Sequence, residues 1–476
     1  MDSAMVGSLI PLMIVGAATI IIMLLVAVRR MYGLTWAITV IGLGAALIAD
    51  LIVPASNAGA PLFRFDAAAQ YFSALLLLVN LIVALLSHRF IGEYRENREE
   101  FYLLLLLETT GSVMLVASSH FISFIIGLEL LSVPLYAMLG YVRNSDLSLE
   151  AATKYFILTA VASAIVVFGL GLIYFQTGSL TLSSITDRIA ASGLDPLLVT
   201  GLGLVFAGLA FKLAVFPFHM WAADVYEGSP LPATAVISTA SKVAVFAFLY
   251  RMFQPVLSHN TGGLAVAIVV FAAGSMVVGN FLALKQTNIK RLLAYSSTAN
   301  LGYLLIPLVS GTADSPQAAF FYLSVYAFTN LGILGVMTMR SSPDAESTES
   351  SSYAGLLYRR PLLALVFILM LLSLAGLPIS AGFFAKLYLF KTSIQGAQWF
   401  LSAVFVLASA TGLYYYLRLV FVQTMHAKAG VGDGPEPAKE QKVRNPATVA
   451  AMLVAAAIIL VLGLYPSLLL SLLQSV

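Results

Sequence analysis

The most constraining feature of this sequence is its long apolar runs without a charge, as over 10–28 and 363–379. A transmembrane helix needs ~20 consecutive apolar residues. A water-soluble chain of this length would hold charged residues at roughly 25%. Here they make up 10% of 476 residues while 60% are hydrophobic, too little polar surface for a soluble globular fold. The hydrophobic share is enough for about fourteen membrane-spanning helices. An outer-membrane barrel is excluded because its strands alternate polar and apolar with period two, and these runs do not alternate. There are no cysteines, so the chain can hold no disulfide, thiolate zinc site or cysteine-ligated iron–sulfur cluster. The net charge of +3 gives no sign of nucleic-acid binding. MDSAMVG leads directly into the first apolar run without the basic stretch and cleavage site of a signal peptide, so the first helix is expected to be retained.

Hydrophobic runs predict fourteen spans: 5–28, 32–55, 68–88, 101–118, 120–142, 152–176, 196–218, 230–253, 262–284, 290–310, 316–339, 361–390, 397–424 and 447–471. Most connections are short. Residues 341–352 (SSPDAESTESSS) read as a solvated linker, and 426–446, rich in Gly, Pro and charge, as an exposed loop. Odd-numbered connections carry sixteen basic residues: Arg29, Arg30, Arg89, Arg95, Arg98, Arg143, Lys285, Lys290, Arg291, Arg340, Arg359, Arg360, Lys428, Lys439, Lys442 and Arg444. Even-numbered ones carry four: Arg64, Arg188, Arg251 and Lys391. Positive charge marks the cytoplasmic side, which places both termini outside.

Five basic residues remain, all inside predicted spans: Lys154, Lys212, Lys242, Lys386 and Arg418, together with the acids Glu108 and Glu129. A lone charge at the bilayer centre costs about 2.5–3.5 kcal/mol on insertion scales, so such residues pair, line a wet cavity or snorkel. Lys154 and Arg418 lie near span ends, where snorkelling is the ordinary expectation. Glu129, mid-span in FIIGLELLSVPLY, is expected either to be protonated or to face a cation on another helix. Lys212, in GLAFKLAVFPFH, precedes Pro217 by five residues. A proline frees backbone carbonyls, and broken helices at membrane depth line cavities. The plain alternative for Lys212 is a structural salt bridge, with Glu129 as its partner. Lys242 lies in a Ser/Thr-rich span, with Ser238 at i−4 on the same face in position to hold a water beside it; the plain alternative is a hydrogen-bonded structural lysine. Lys386 follows Pro378 in a second interrupted helix with Gly376 and Gly382; its alternative is snorkelling toward the span end at Phe390. Glu108 stays open between a second acidic site and a protonated, hydrogen-bonded glutamic acid. His219, seven residues after Lys212, is either a proton-passing group at an aqueous mouth or an interfacial histidine. Tyr414, Tyr415 and Tyr416 read as interface anchors.

Spans four to eight and nine to thirteen form two sets of five. Five is odd, so the second set crosses with opposite orientation. The fourth member of each carries K-L-x-x-F, at Lys212 and Lys386, in a span containing proline. Paired interrupted helices in inverted repeats point to a transport site.

Nearly end to end, the sequence resembles the antiporter-like membrane subunits of respiratory complex I, most closely the N-type subunits of NADH-quinone oxidoreductase. The stretches that carry this are EFYLLLLLETTGSV, GLELLSVPLYAMLGYVR, SLEAATKYFILTAVASA, FKLAVFPFHMWAADVYEGSPLPATAVISTASKVAVF, QTNIKRLLAYSSTANLGYLL and MLLSLAGLPISAGFFAKLYLF. The resemblance implies an all-α polytopic membrane protein of about fourteen transmembrane helices. Its parts would be N-terminal helices one to three (1–100), a first repeat (101–254, helices 4–8), a second inverted repeat (262–424, helices 9–13) and a C-terminal helix (447–471), with helices 7 and 12 broken. It also implies a single proton-translocating domain in the bacterial inner membrane. Glu129 matches the family's glutamate of the fifth helix, and Lys212 the lysine of the broken seventh. Lys242 matches the lysine of the eighth, and Lys386 that of the broken twelfth, where a sister subunit carries glutamate. Glu108 matches no position of the motif. FMN, iron–sulfur clusters and quinone are expected in partner subunits of the complex, and none in this chain. A desolvated lysine exchanges protons more readily, and a nearby carboxylate opposes this. The expected mechanism is therefore lateral: Lys212 takes a proton from the cytoplasm under the control of Glu129, Lys242 relays it and Lys386 releases it outward. The rivals are a cation/proton antiporter subunit of the same fold and a non-pumping assembly scaffold.

The charge bias generates a topology test. Reporter fusions and protease access in spheroplasts should place both termini in the periplasm and residues 341–352 in the cytoplasm. Cytoplasmic cleavage near either terminus would overturn the fourteen-span arrangement.

Overall fold

The computed structural model describes residues 3–55, 62–94, 97–259, 262–343, 345–425 and 446–474, with side chains from residue 7 onward. Among these residues the chain is helical, with only isolated β-bridges. The helices are α1 (Ser3–Val28), α2 (Tyr32–Ile52), α3 (Ala67–Gly92), α4 (Glu100–Ala117), α5 (Phe121–Leu139), α6 (Asp146–Thr177), α7 (Ser183–Ser192), α8 (Pro196–Leu213), α9 (Met220–Gly228), α10 (Leu231–Ser238), α11 (Ala240–Leu257), α12 (Gly263–Leu284), α13 (Ile289–Ser310), α14 (Ser315–Arg340), α15 (Leu356–Arg359), α16 (Pro361–Ala375), α17 (Ala381–Gln395), α18 (Trp399–Thr424), α19 (Pro446–Leu464) and α20 (Ser467–Leu473).

Thirteen stretches of the described chain are long and apolar enough to cross a membrane, counting α10 and α11 as one. The remaining crossing is divided between α16 and α17, fifteen residues each and so ~22 Å long at 1.5 Å per residue, too short to cross singly. The polytopic all-α expectation and the interruptions of the seventh and twelfth spans therefore hold. The proposed loop 426–446 lies, save its last residue, outside the described residues.

Local chemistry sets the boundaries. Asp66, Ser145 and Asp195 each accept the backbone N–H three residues on, and Asn288 accepts those of Lys290 and Arg291, which satisfies donors a helix start leaves free. Gly376 ends α16 at φ +79°, a conformation costly for a side chain with a Cβ. Where α17 turns back on α16, a Cβ on Gly382 would lie 1.8 Å from the Ser373 carbonyl oxygen, so only glycine allows this approach.

Burial is uneven. The α10–α11 and α14 spans are wholly enclosed and α13 nearly so, whereas α1, α2, α6, α12 and α18 keep much of their surface outside. Apolar residues of the outer helices, such as Phe168 and Leu407, are exposed, as a lipid-facing surface requires.

Four expectations need correction. The eighth span is not continuous: it breaks at Thr239, between α10 and α11. Lys154 and Arg418 do not simply snorkel. Lys154 pairs with Glu150 at 2.6 Å and Asp224 at 2.9 Å, and Arg418 donates to the carbonyls of Leu284 and Gln286 at the end of α12. Of the three tyrosines, only Tyr414 faces outward. Tyr415 and Tyr416 are buried, bonded to Asn280 and Ser296.

The fourth correction is the 341–352 segment, which is docked rather than solvated. Ile289 N–H donates to the Thr348 carbonyl at 2.7 Å and Ser350 N–H to the Thr287 carbonyl at 3.0 Å. Glu346 Oε2 lies 2.7 Å from the buried Lys290 ammonium, and its Oε1 accepts the Leu231 N–H at 2.9 Å. One carboxylate thus ties the strap to the starts of both α13 and α10. Its polar composition serves partners more than fifty residues away in sequence.

Glu346→Ala would strand the Lys290 ammonium, and stranding one member of a buried pair costs about 3 kcal/mol or more. The purified variant should denature at lower temperature and be cut faster by protease within 345–352. Unchanged values for both would show that the strap is held by its backbone bonds alone.

Candidate functional site

Capped by Asp195 with Pro196 in its first turn, α8 ends at Ala214 in the left-handed region (φ +58°). Lys212 is two residues before that break and is buried. Its Nζ donates to Ser132 Oγ of α5 at 2.5 Å, and Ser132 donates on to the Leu128 carbonyl at 2.5 Å. Glu129 is on α5 one turn before Ser132, on the same side. It is half-buried and accepts from Ser163 of α6 at 2.6 Å. No ion pair within 4.0 Å links Glu129 and Lys212 among the described residues. The expected salt bridge is therefore open in this structure, with Ser132 holding the ammonium instead.

Lys242 sits at the start of α11, just past the Thr239 break, and is fully buried. Its ammonium reaches the Leu213 carbonyl at 3.2 Å and Ser297 Oγ of α13 at 2.5 Å. In a continuous helix the Leu213 carbonyl would accept from residue 217, but residue 217 is proline and has no N–H. The lysine takes the acceptor that the proline leaves open. The Tyr226 ring lies 5.6 Å from the ammonium. Ser238, expected to serve Lys242, instead donates to the Ala235 carbonyl at 3.3 Å.

Lys386 lies in α17, half-buried, with its ammonium directed back toward the break. It donates to the Ala375 carbonyl at 3.0 Å, at the end of α16, and lies 5.7 Å from the Tyr303 ring. Snorkelling toward Phe390 is not what the side chain does. Lys212 precedes its break whereas Lys386 follows its own, so the shared K-L-x-x-F letters do not occupy matching places relative to the two interruptions.

His219 starts α9 inside the same break as Lys212, buried, with its ring 5.8 Å from that of Phe216. Glu108 is fully buried in α4 and meets only neutral donors, Asn80 Nδ2 at 2.9 Å and Ser112 Oγ at 2.7 Å, which suits the hydrogen-bonded acid rather than a site facing a cation. Among the described residues no group of acidic or histidine side chains could hold a metal ion.

Sequence reasoning missed Ser132, Ser163, Ser297 and Tyr326. Ser132 had a signal, three residues after Glu129 on one face. The others are single hydroxyl groups whose partners lie 29 to 55 residues away, and no local spacing marks them.

Fold and site together define a polytopic helical membrane protein with ammonium groups set along its interior beside interrupted helices. The family described as NADH:quinone oxidoreductase/Mrp antiporter, TM, has a model that matches residues 118–412, and the chain belongs to that family. It is similar to a chain of the respiratory complex I of Thermus thermophilus solved with bound aureothin: 34% identity over 98% of this chain and 99% of that one, TM-score 0.83. At 22% identity it shares the fold of a chain of the Mrp complex from Dietzia sp. DQ12-45-1b (TM-score 0.86, 99% of this chain and 96% of that one). It shares the fold equally with a chain of the membrane-bound sulfane sulfur reductase, an archaeal respiratory membrane complex (TM-score 0.85, with the same coverage of both chains and also 22% identity).

Proposed function

We propose that this chain is the N-type proton-translocating subunit of a bacterial NADH-quinone oxidoreductase. It would lie in the inner membrane with both termini periplasmic, built on two inverted five-helix repeats. Protons pass laterally: Lys212 takes one from the cytoplasm, with His219 at the uptake side, Lys242 relays it and Lys386 releases it outward. Glu129 sets whether Lys212 keeps its proton. Electron transfer from NADH to quinone takes place in partner subunits that hold FMN and the iron–sulfur clusters.

The observation that carries this reading is the nature of the three acceptors. Ser132, the Leu213 carbonyl with Ser297, and the Ala375 carbonyl are all neutral. An ammonium bonded to a carboxylate is held charged; one bonded to neutral oxygens in a dry interior can give its proton up. A purely structural lysine has no need of this arrangement three times over. Lysine at position 386, where the resembling sister subunit has glutamate, supports the N type. The likeness to the Thermus complex I chain over almost its whole length supports a redox-driven complex rather than a free-standing antiporter. Mass spectrometry of the native complex tests this: cluster-bearing partners should co-purify.

The residue roles have their own tests, read as NADH-driven proton uptake into inverted vesicles, normalised to assembled complex. Glu129→Asp keeps a carboxylate on a shorter stem and should retain part of the activity, while Glu129→Gln should lose far more. Equal rates would leave Glu129 only a packing role. Lys212→Arg preserves positive charge, but arginine, with pKa above ~12, does not release its proton. It should assemble and pump poorly, close to Lys212→Ala. Near-normal pumping with Lys212→Arg would show that no deprotonation is needed there.

A further inference from the structure

Between Lys242, fully buried, and Lys386, half-buried, the polar groups are not scattered. Ser297 on α13 and Tyr326 on α14 are buried at 1% and 2% exposure. Ser297 Oγ accepts from Lys242 Nζ at 2.5 Å and lies 2.6 Å from Tyr326 Oη. Tyr326 in turn lines a small cavity together with Tyr322, Thr329, Ser373 and Lys386. One end of this cavity thus belongs to the group bonded through Ser297 to Lys242, and the other to the next lysine.

The lining suits a transferred proton. Thr329 commits its hydroxyl proton to the Val325 carbonyl at 2.6 Å, and Tyr322 donates to Asn300 Oδ1 at 2.7 Å. What these two hydroxyls leave is lone pairs, which accept. Val325, Leu374 and Ala385 make up much of the remaining wall, but a water in this space, with room for roughly one molecule, would find among the hydroxyls and Lys386 the two to four partners that a buried water needs. Lys386 completes the lining with a group that can both bind and lose a proton.

We propose that Ser297 and Tyr326 form a hydroxyl relay that carries the proton from Lys242 into the cavity beside Lys386. The transfer balances without any oxidant or reductant. Lys242 Nζ–H breaks as a new O–H forms on Ser297. Ser297 passes its original proton to Tyr326 Oη, and Tyr326 passes its own to the cavity water. That water hands one to the neutral amine of Lys386. Lys242 ends as amine and Lys386 as ammonium, each hydroxyl having gained and lost one proton. Rotation of the hydroxyls restores the starting order. Tyr326 is suited to this because it is buried, its Oη lies 2.6 Å from Ser297 Oγ and the residue lines the cavity that Lys386 also lines.

The inference rests on the lysine relay proposed above, and the test separates the two. Tyr326→Phe removes one oxygen and keeps the ring; Ser297→Ala removes the other; Ser297→Thr keeps the hydroxyl. In assembled complex, NADH-driven proton uptake should fall roughly 10²-fold for Tyr326→Phe and Ser297→Ala, the lower range for loss of a positioned proton-transfer group, and Ser297→Thr should restore much of it. Lys242→Ala serves as the reference. If Lys242→Ala is inactive while Tyr326→Phe and Ser297→Ala pump normally, the hydroxyl relay is overturned and the lysine relay stands. If Ser297→Thr is as impaired as Ser297→Ala at equal assembly, the serine acts by packing and the relay is also overturned. If Lys242→Ala itself pumps normally, the lysine relay fails first.

Discussion

A lysine ammonium inside a bilayer needs acceptors, and an unbroken helix has none to give, because each of its carbonyls already holds an N–H. This structure meets the need by interrupting helices where the lysines are. The Leu213 carbonyl loses its helical donor to Pro217, and Lys242 of the next span takes it. The Ala375 carbonyl ends α16, and Lys386 takes that one. Separately both halves are costly: an unpaired buried carbonyl costs about 1–3 kcal/mol, and a lone charge at membrane depth about 2.5–3.5 kcal/mol or more. Together they satisfy each other. The break in α8–α9 and the lysine of α11 are therefore one structural unit, and so are the break in α16–α17 and the lysine of α17.

The two interrupted spans are not used alike. Lys212 lies on the near side of its break, so its ammonium turns to another helix and finds Ser132 on α5. Lys386 lies beyond its break and turns back to the carbonyl of its own span. Among the described residues, the Lys212 end has a carboxylate close by, Glu129, one turn from Ser132 and held by Ser163. The carboxylate thus sits at one end of the lysine row. The other end has neutral oxygens and an aromatic ring. An arrangement with a carboxylate at both ends would lack this polarity, and a row with none would have no group whose movement could load or unload the first lysine.

Much of this was legible in the sequence, for a physical reason. A membrane span must be apolar throughout, so every lysine within one stands out, and of the five basic residues flagged in this way the structure buries Lys212 and Lys242 and half-buries Lys386. Pro217 and Pro378 mark breaks because proline lacks an N–H, although Pro134 and Pro307 lie inside continuous helices. What stayed hidden depends on partners distant in sequence. Lys154 had one local signal, Glu150 four residues before it, but its second partner, Asp224, lies seventy residues on. The strap at 341–352 has the composition of a solvated linker, and only Lys290 and Leu231 turn Glu346 into an anchor. The Thr239 break has no proline or glycine to mark it, and Ser297 and Tyr326 look like any small polar or aromatic residue of a packed helix.

The distribution of acid partners separates an ion-paired rim from an interior whose lysines meet neutral oxygens. At the end where α9, α13 and the strap meet, cations face carboxylates: Lys154 and Arg291 share Asp224, Arg291 also holds Glu227, and Lys290 holds Glu346. A proton cannot leave an arginine there, and a lysine bonded to a carboxylate has every reason to stay charged. These pairs fix the outer ends of α6, α9, α10 and α13. Deeper in, Lys212 of α8, Lys242 of α11 and Lys386 of α17 donate to hydroxyl and carbonyl oxygens. α13 begins in the ion-paired layer, at Lys290 and Arg291, and carries Ser297 inward to Lys242, while α9 runs from His219 at the break out to Asp224 and Glu227 in that layer. From the rim inward, the partners of the ammonium groups thus change from carboxylates to the neutral oxygens of Ser132, Ser297, Leu213 and Ala375, so that the charge of the inner lysines is compensated by hydrogen bonds and not by opposite charge.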